Sequence, residues 1–341
     1  MGSLFRTALI LIFCLAALAT DARDAQGKLV FGIQGTAADY HDWDRFMTER
    51  LQGLFQPRGI TGITFVGEED YQTFIRRGQQ GEFDIVKCGP MAYLEIARKF
   101  PLTPVLKTAY TVEEGKPTEY RAVLVTTKGE YRNGLPRGVK VGLVSPSSTS
   151  GGLFPQLMLR DLGGSESEVV LSWWKSHLGA LEAMLAGIVD VAGVGDFVLT
   201  RSYLEQRVNK DEVRLPQHFV LARSEPIPSD PIAVSAALAA DKALVEDLSR
   251  AFRVYRNTTG QNRYSWLEPA GPEHYLGVAE AMEILEGRNR WGRTLRKLGR
   301  TLGERFEDPL VQLVVIPLAL AVVLLLVGLG FVARWHWRPR G

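Results

Sequence analysis

Ser147, Ser148, Thr149 and Ser150 place four hydroxyl side chains in a row, and Gly151 and Gly152 follow at once. They close the apolar stretch Val141–Val144 and precede LFPQLMLRDL, which reads as a helix. A strand that turns directly into a helix leaves backbone N–H groups directed at the space above the turn. The helix dipole adds roughly half a positive charge there. Hydroxyls supply further donors, and glycine lets the backbone come close to a ligand. This chemistry suits a small oxyanion held without a fixed cation. The Gly-Lys-Ser/Thr ending of a nucleotide-binding P-loop is absent, which argues against nucleotide. An ordinary helix cap calls for one such hydroxyl, not four in succession.

Cys88 is the second reactive group, and the ends of the chain give it its setting. Arg6, the apolar run Ala8–Leu18 and the exit Ala17-Leu18-Ala19 read as a secretory signal peptide over residues 1–22. Cys14, the other of two cysteines, leaves with it, so Cys88 is a lone thiol in an oxidising compartment. Leu313–Ala333 carries no charged or strongly polar residue, and at ~1.5 Å per residue it reaches across a bilayer core. Residues 310–333 are therefore expected to form a transmembrane helix, with 334–341 as a cytoplasmic tail. Between domain and span, 287–308 sets Arg288, Arg290, Arg293, Arg296, Lys297 and Arg300 against Trp291, Leu295, Leu298, Leu302 and Phe306. That spacing suits an amphipathic juxtamembrane segment or a solvated linker helix. Its basic charge outside the membrane runs against the usual orientation bias, which an exported domain overrides.

The elements that must position these groups follow from alternation. Strand-like Leu29–Ile33, Gly62–Val66 and Phe83–Lys87 are each followed by helix-like Trp43–Phe55, Tyr71–Arg77 and Met91–Phe100. That order argues for an α/β layer structure with mostly parallel strands. A second block begins with Glu119–Thr127 and Lys140–Val144, and Ile232–Leu238 with helical Lys242–Tyr255 returns to the first. The exported domain is thus 23–286, with lobe 1 at about 27–115 and 232–286 and lobe 2 at about 116–231. Crossings near Glu113–Arg121 and Glu225–Pro231 would form a two-stranded hinge. A net charge of +2 leaves no nucleic-acid footprint outside the short basic segment.

The two blocks repeat one pattern. Tyr71, Asp84 and Gly89 are separated by 13 and 5 residues, and so are His177, Asp190 and Gly195. Each unit reads as a helix, a glycine, a strand opening at Asp and a glycine at the strand's carboxyl end. Ligands of open α/β sheets bind at those carboxyl ends. Cys88 with Gly89 is therefore expected to face Val194, Gly195 and Asp196 across an interlobe cleft, with Tyr71 and His177 directed into it. His177 could otherwise be a helix-start residue, Asp196 a cap, and Asp230 the residue ordering a Pro-bounded turn. Asp84 and Asp190 suit structural roles. His41, His218, His274 and His336 lack zinc-ligand spacing, and no metal or other cofactor is expected.

Taken with Asp70–Tyr71, the GPMAY turn at Gly89–Tyr93, PSSTSGG at Pro146–Gly152, His177, GIVDVAGVGD at Gly187–Asp196 and IPSDP at Ile227–Pro231, the chain resembles the PhnD-type phosphate/phosphite/phosphonate periplasmic solute-binding proteins from about Gly27 to Gly287. The resemblance implies a two-lobed type II periplasmic-binding-protein fold, here joined to a C-terminal transmembrane helix in the inner membrane. It also implies that Ser148, Thr149, Ser150, His177 and Tyr71 hold a tetrahedral anionic head. Asp196 and Asp230 match acidic positions that face an amino end in aminoalkylphosphonate binders. Where transport members tend to carry an aromatic residue before the GP turn, this chain has Cys88. In that respect it is similar to the AioX-like arsenite-sensing branch, which implies an arsenic–sulfur bond at Cys88; the alternative is that Cys88 is a small buried hydrophobe, as most free cysteines are.

The expected function is a membrane-anchored periplasmic binding protein that takes up an oxyanion, arsenite favoured, and signals to a histidine kinase. The alternative is the phosphonate/phosphate/phosphite-binding component of an ABC uptake transporter, partnered by a permease. An enzyme is not expected, since the G-x-S-x-G elbow of a serine hydrolase is missing.

Overall fold

Side chains of the first sheet alternate between two cores, one on each face. A computed structural model of the chain describes residues 27–35, 58–113, 116–118, 120–163, 169–199, 217–253 and 266–288. The expected signal peptide (1–22), the helix at 43–55, the basic segment beyond Arg288, the span at 310–333 and the tail at 334–341 lie outside the described residues. Among the described residues, no helix is long and apolar enough to cross a membrane.

In the first sheet Leu29, Phe31 and Ile33 of β1 (Leu29–Gln34) share one core with Ile85 of β3 (Ile85–Lys87) and with Ile232 and Val234 of β11 (Pro231–Ser235). Leu244, Leu248 and Phe252 of the helix Lys242–Arg253 close that face. Val86, Cys88 and Ala233 belong to the opposite core with Phe74, Tyr93 and Tyr275. The period-2 pattern of a strand buried on both sides produces this division. The helices α1 (Tyr71–Gln79) and α2 (Pro90–Ala97) supply Phe74, Ile75, Ala92, Tyr93 and Ile96 to the second face.

The strand order of this sheet is β12 (Trp266–Pro269), β4 (Leu102–Glu113), β11, β3, β1, β2 (Ile63–Glu68), with β5 (Lys116–Thr118) paired to β4. The second sheet runs β10 (Phe219–Arg223), β6 (Ala122–Thr126), β9 (Val191–Gly195), β7 (Val139–Leu143), β8 (Val169–Trp173). Its core includes Val123, Leu124, Val141, Leu143, Val191 and Val194, packed by α3 (Phe154–Asp161) and α4 (His177–Leu185). These two sheets make the α/β two-sheet architecture that the alternation points to.

The expectation of mostly parallel strands needs correction. Only β2-β1-β3 and β8-β7-β9 are parallel trios; the neighbouring β11 and β6 run antiparallel to them. Both odd strands arrive directly from a crossing between the sheets. No helix carries the chain back to the amino end, and a parallel pair requires such a return. The crossings themselves are tied side by side, with an antiparallel bridge at Tyr120 and Ile227 and Ile227 N donating to Tyr120 O at 2.8 Å.

A helix at Leu276–Leu285 follows the return to the first sheet. Its Val278, Ala281, Met282 and Ile284 nevertheless enter the second core. It touches both α2 and α3.

Candidate oxyanion site between the sheets

The cradle is built from a tight turn that bonds back on itself. Val144 N donates to Gly151 O at 2.8 Å and Ser148 N to Ser145 O at 3.1 Å. Ser148 Oγ caps the turn by accepting from Gly151 N at 3.1 Å, and Leu153 N reaches back five residues to Ser148 O at 2.9 Å. The chain can double back so closely only because residue 152 has no side chain: a Cβ there would stand 2.0 Å from Ser145 O. Ser147, Ser148, Thr149 and Ser150 are all buried. Among the described residues the Ser150 hydroxyl makes no hydrogen bond, at 3% exposure. A buried hydroxyl in that condition is a donor awaiting a polar partner.

The first lobe reaches this turn at two points. Gln72 Nε2, in the first turn of α1, donates to Ser147 Oγ at 2.7 Å. Met91 N, in the first turn of α2, donates to Thr149 Oγ1 at 2.9 Å. Gly89 comes just before it, where a Cβ would lie 3.7 Å from Thr149 Oγ1. The turn after β3, with Cys88 at its start, thus meets the hydroxyl row directly, and Tyr71 sits half-buried on the residue before Gln72.

The internal repeat has a structural counterpart. Asp70 caps α1 by accepting from Thr73 N, and Ser176 caps α4 by accepting from Gly179 N. Lys175 adopts a left-handed φ of 63° just before that cap, a conformation costly for a side chain with a Cβ. His177 opens α4 and accepts from Gly195 N on Nδ1 at 3.1 Å, while its ring stands edge-on to Phe197 at 5.1 Å. A neutral imidazole accepting on Nδ1 carries its proton on Nε2, which makes His177 a donor suited to an anion.

Three of the named residues have other surroundings. Cys88 is 1% exposed among Phe74, Val86, Ala92, Tyr93 and Tyr275. Burial pushes its thiol well above the ordinary range, Asp230 adds to the shift, and Lys87 opposes it. Tyr93 is pushed up to about 12 by burial and by Cys88, and Tyr275 donates its hydroxyl to Ser229 O at 3.2 Å. Asp196 accepts from Arg121 N on Oδ1 at 3.0 Å, fastening the first crossing to the end of β9. Burial raises its carboxyl, and the bond from Arg121 N works against that. Asp230 faces Lys87, with Nζ 3.5 Å from Oδ2.

Gln72 and Lys87 were missed in the sequence. Gln72 looks like any polar residue of a helix start. Lys87 had a signal, a charge closing the otherwise apolar strand before Cys88-Gly89-Pro90.

Residues 36–275 match the family model described as ABC transporter, phosphonate, periplasmic substrate-binding protein. The chain belongs to this family. No curated protein matches the chain. Solved structures with a similar fold include PhnD1 from Prochlorococcus marinus in complex with methylphosphonate, at 13% identity and a TM-score of 0.60, covering 76% of this chain and 99% of that one. A binding protein component of an ABC phosphonate transporter from Pseudomonas aeruginosa is 19% identical with a TM-score of 0.55, covering 82% and 99%. A Xanthomonas citri protein bound to chloride ion is 16% identical with a TM-score of 0.59, covering 76% and 99%. The family is that of PhnD-like periplasmic phosphonate-binding proteins, typically the substrate-binding components of ABC transporters.

Proposed function

We propose that this PhnD-like protein binds a phosphorus oxyanion (phosphonate, phosphate or phosphite) between its lobes and delivers it to an ABC permease. The observation that carries the reading is Ser150, a buried hydroxyl without a hydrogen bond among the described residues, in a turn whose neighbours bond across the lobes. Ser148, Thr149 and Ser150 hold the anion's oxygens, His177 donates from Nε2, and Tyr71 borders the head from the first lobe. The protein binds and releases its ligand unchanged. The apolar run 310–333 tethers the domain on the periplasmic face of the inner membrane, a reading supported by its composition.

Arsenite sensing and signalling to a kinase gain no support. A trivalent arsenic centre needs a thiolate it can reach. Cys88 is enclosed in a largely apolar core, and burial pushes its thiol well above the ordinary range. Isothermal titration of the full-length protein in mild detergent against methylphosphonate, phosphite, phosphate and arsenite tests the proposal. Saturable binding of a phosphorus oxyanion is expected; binding of arsenite alone overturns it.

A further inference from the structure

Lys87 is the single buried lysine or arginine among the described residues, at 3% exposure. Its side chain is 4% exposed and that of its partner Asp230 is 15% exposed. The pair stands at the edge of the site. Ile232 of β11 lies opposite Lys87 of β3, so the same antiparallel register carried two residues further sets Asp230 beside Gly89. Gly89 opens the turn that touches Thr149. Thr108 N fixes Asp230 from the third side by donating to its carbonyl at 3.0 Å.

Phosphorus oxyanions fall into two chemical groups, those carrying an ammonium on their tail and those without one. A carboxylate beside the cleft is a natural seat for an ammonium, but Lys87 already fills it. An incoming ammonium would have to separate the buried Lys87 from Asp230, or stand beside a like charge.

Resting on the proposed oxyanion function, we propose that Lys87 is a specificity-determining residue. By occupying Asp230 it makes the site select oxyanions without an ammonium group and reject aminoalkyl ones.

Titration of the full-length protein with methylphosphonate and 2-aminoethylphosphonate tests this. Wild type should prefer methylphosphonate by about tenfold or more. Lys87→Met removes the cation that faces Asp230 and should move the ratio at least about tenfold toward the amino compound. Asp230→Asn removes the carboxylate charge and should show no such gain, which keeps the test open if Lys87→Met does not fold. Equal or tighter binding of 2-aminoethylphosphonate by wild type overturns the assignment, as does a gain for the amino compound in Asp230→Asn. An unchanged ratio in a folded Lys87→Met protein overturns it too. A wild type that binds neither compound, nor phosphate or phosphite, defeats the oxyanion reading itself. Tight methylphosphonate binding with an unmoved ratio defeats only the role of Lys87.

Discussion

Met91 and Thr149 belong to different lobes, yet the backbone N–H of the first donates to the side-chain oxygen of the second at 2.9 Å. The bond joins the first turn of α2 to the hydroxyl row. Thr149→Ala should weaken phosphorus oxyanion binding about 10- to 100-fold, since a hydrogen bond to a charged group contributes roughly 1.5–3 kcal/mol. Thr149→Ser keeps the oxygen and should stay near wild type. Calorimetric affinities equal in the Ala variant and wild type would remove Thr149 from the site.

Gly152 is required by space. Its backbone passes so near Ser145 O that any Cβ would overlap a carbonyl rather than a movable side chain. Gly152→Ala should cost about 3 kcal/mol or more, because the whole turn must shift. Urea unfolding measures the loss, and an unaltered midpoint would contradict the geometry of the turn.

Cys88 should behave as a core residue. A thiol reagent should label it only after unfolding, and methylphosphonate should not change that rate. Cys88→Ser should lower stability by about 1–3 kcal/mol, the cost of burying an unsatisfied hydroxyl. Methylphosphonate affinity should change by no more than about threefold. Rapid labelling of the folded protein would return the thiol to the cleft.

Asp190 is held by the second lobe's own polar groups. Burial works to raise its carboxyl, but hydrogen bonds from Lys128 Nζ and Lys140 N outweigh this and hold it below the ordinary range. A depressed folded-state pKa contributes stability above the unfolded value of about 3.9, lost as pH falls through the folded value. Asp190→Asn should therefore be less stable than wild type by about 1–3 kcal/mol at pH 7, and the gap should shrink below about pH 4. A gap that widens in acid would reverse the sign assigned here.

Asp196 should respond in the opposite sense. Its carboxyl is raised chiefly by burial, so ionisation works against folding at neutral pH, and that penalty fades as pH falls through the folded value. Asp196→Asn keeps an oxygen for Arg121 N. It should lose no more than about 0.5 kcal/mol at pH 7, and its standing relative to wild type should worsen on acidification. Denaturation curves at pH 7 and pH 4 give the comparison; a variant that gains on acidification would refute it.

Local pattern alone determined much of this protein. The strands Leu29–Gln34 and Ile85–Lys87 alternate between two cores as strands buried on both faces must, and the caps Asp70 and Ser176 stand where a side-chain oxygen can meet a helix's free N–H groups. The matched spacing around Asp84 and Asp190 reflects one physical device used twice. Asp84 Oδ2 accepts from Val30 N at 2.8 Å, Asp190 Oδ2 from Lys140 N at 2.9 Å, and each joins its strand's start to the neighbouring strand. The hydroxyl row was legible for the same reason, because a strand-to-helix turn is a local structure. What a side chain meets from distant sequence was not legible. Only the tertiary structure gave Asp230 to Lys87, Asp196 to the backbone of Arg121, and Gln72 to Ser147, bonds spanning from 75 to 143 residues of chain. Burial of Cys88 was decided in the same way, by Tyr275 and Ala233 arriving from the far end of the chain to enclose it. Spacing governs contacts within a few residues along one element; charge pairing and burial depend on which elements the fold brings together.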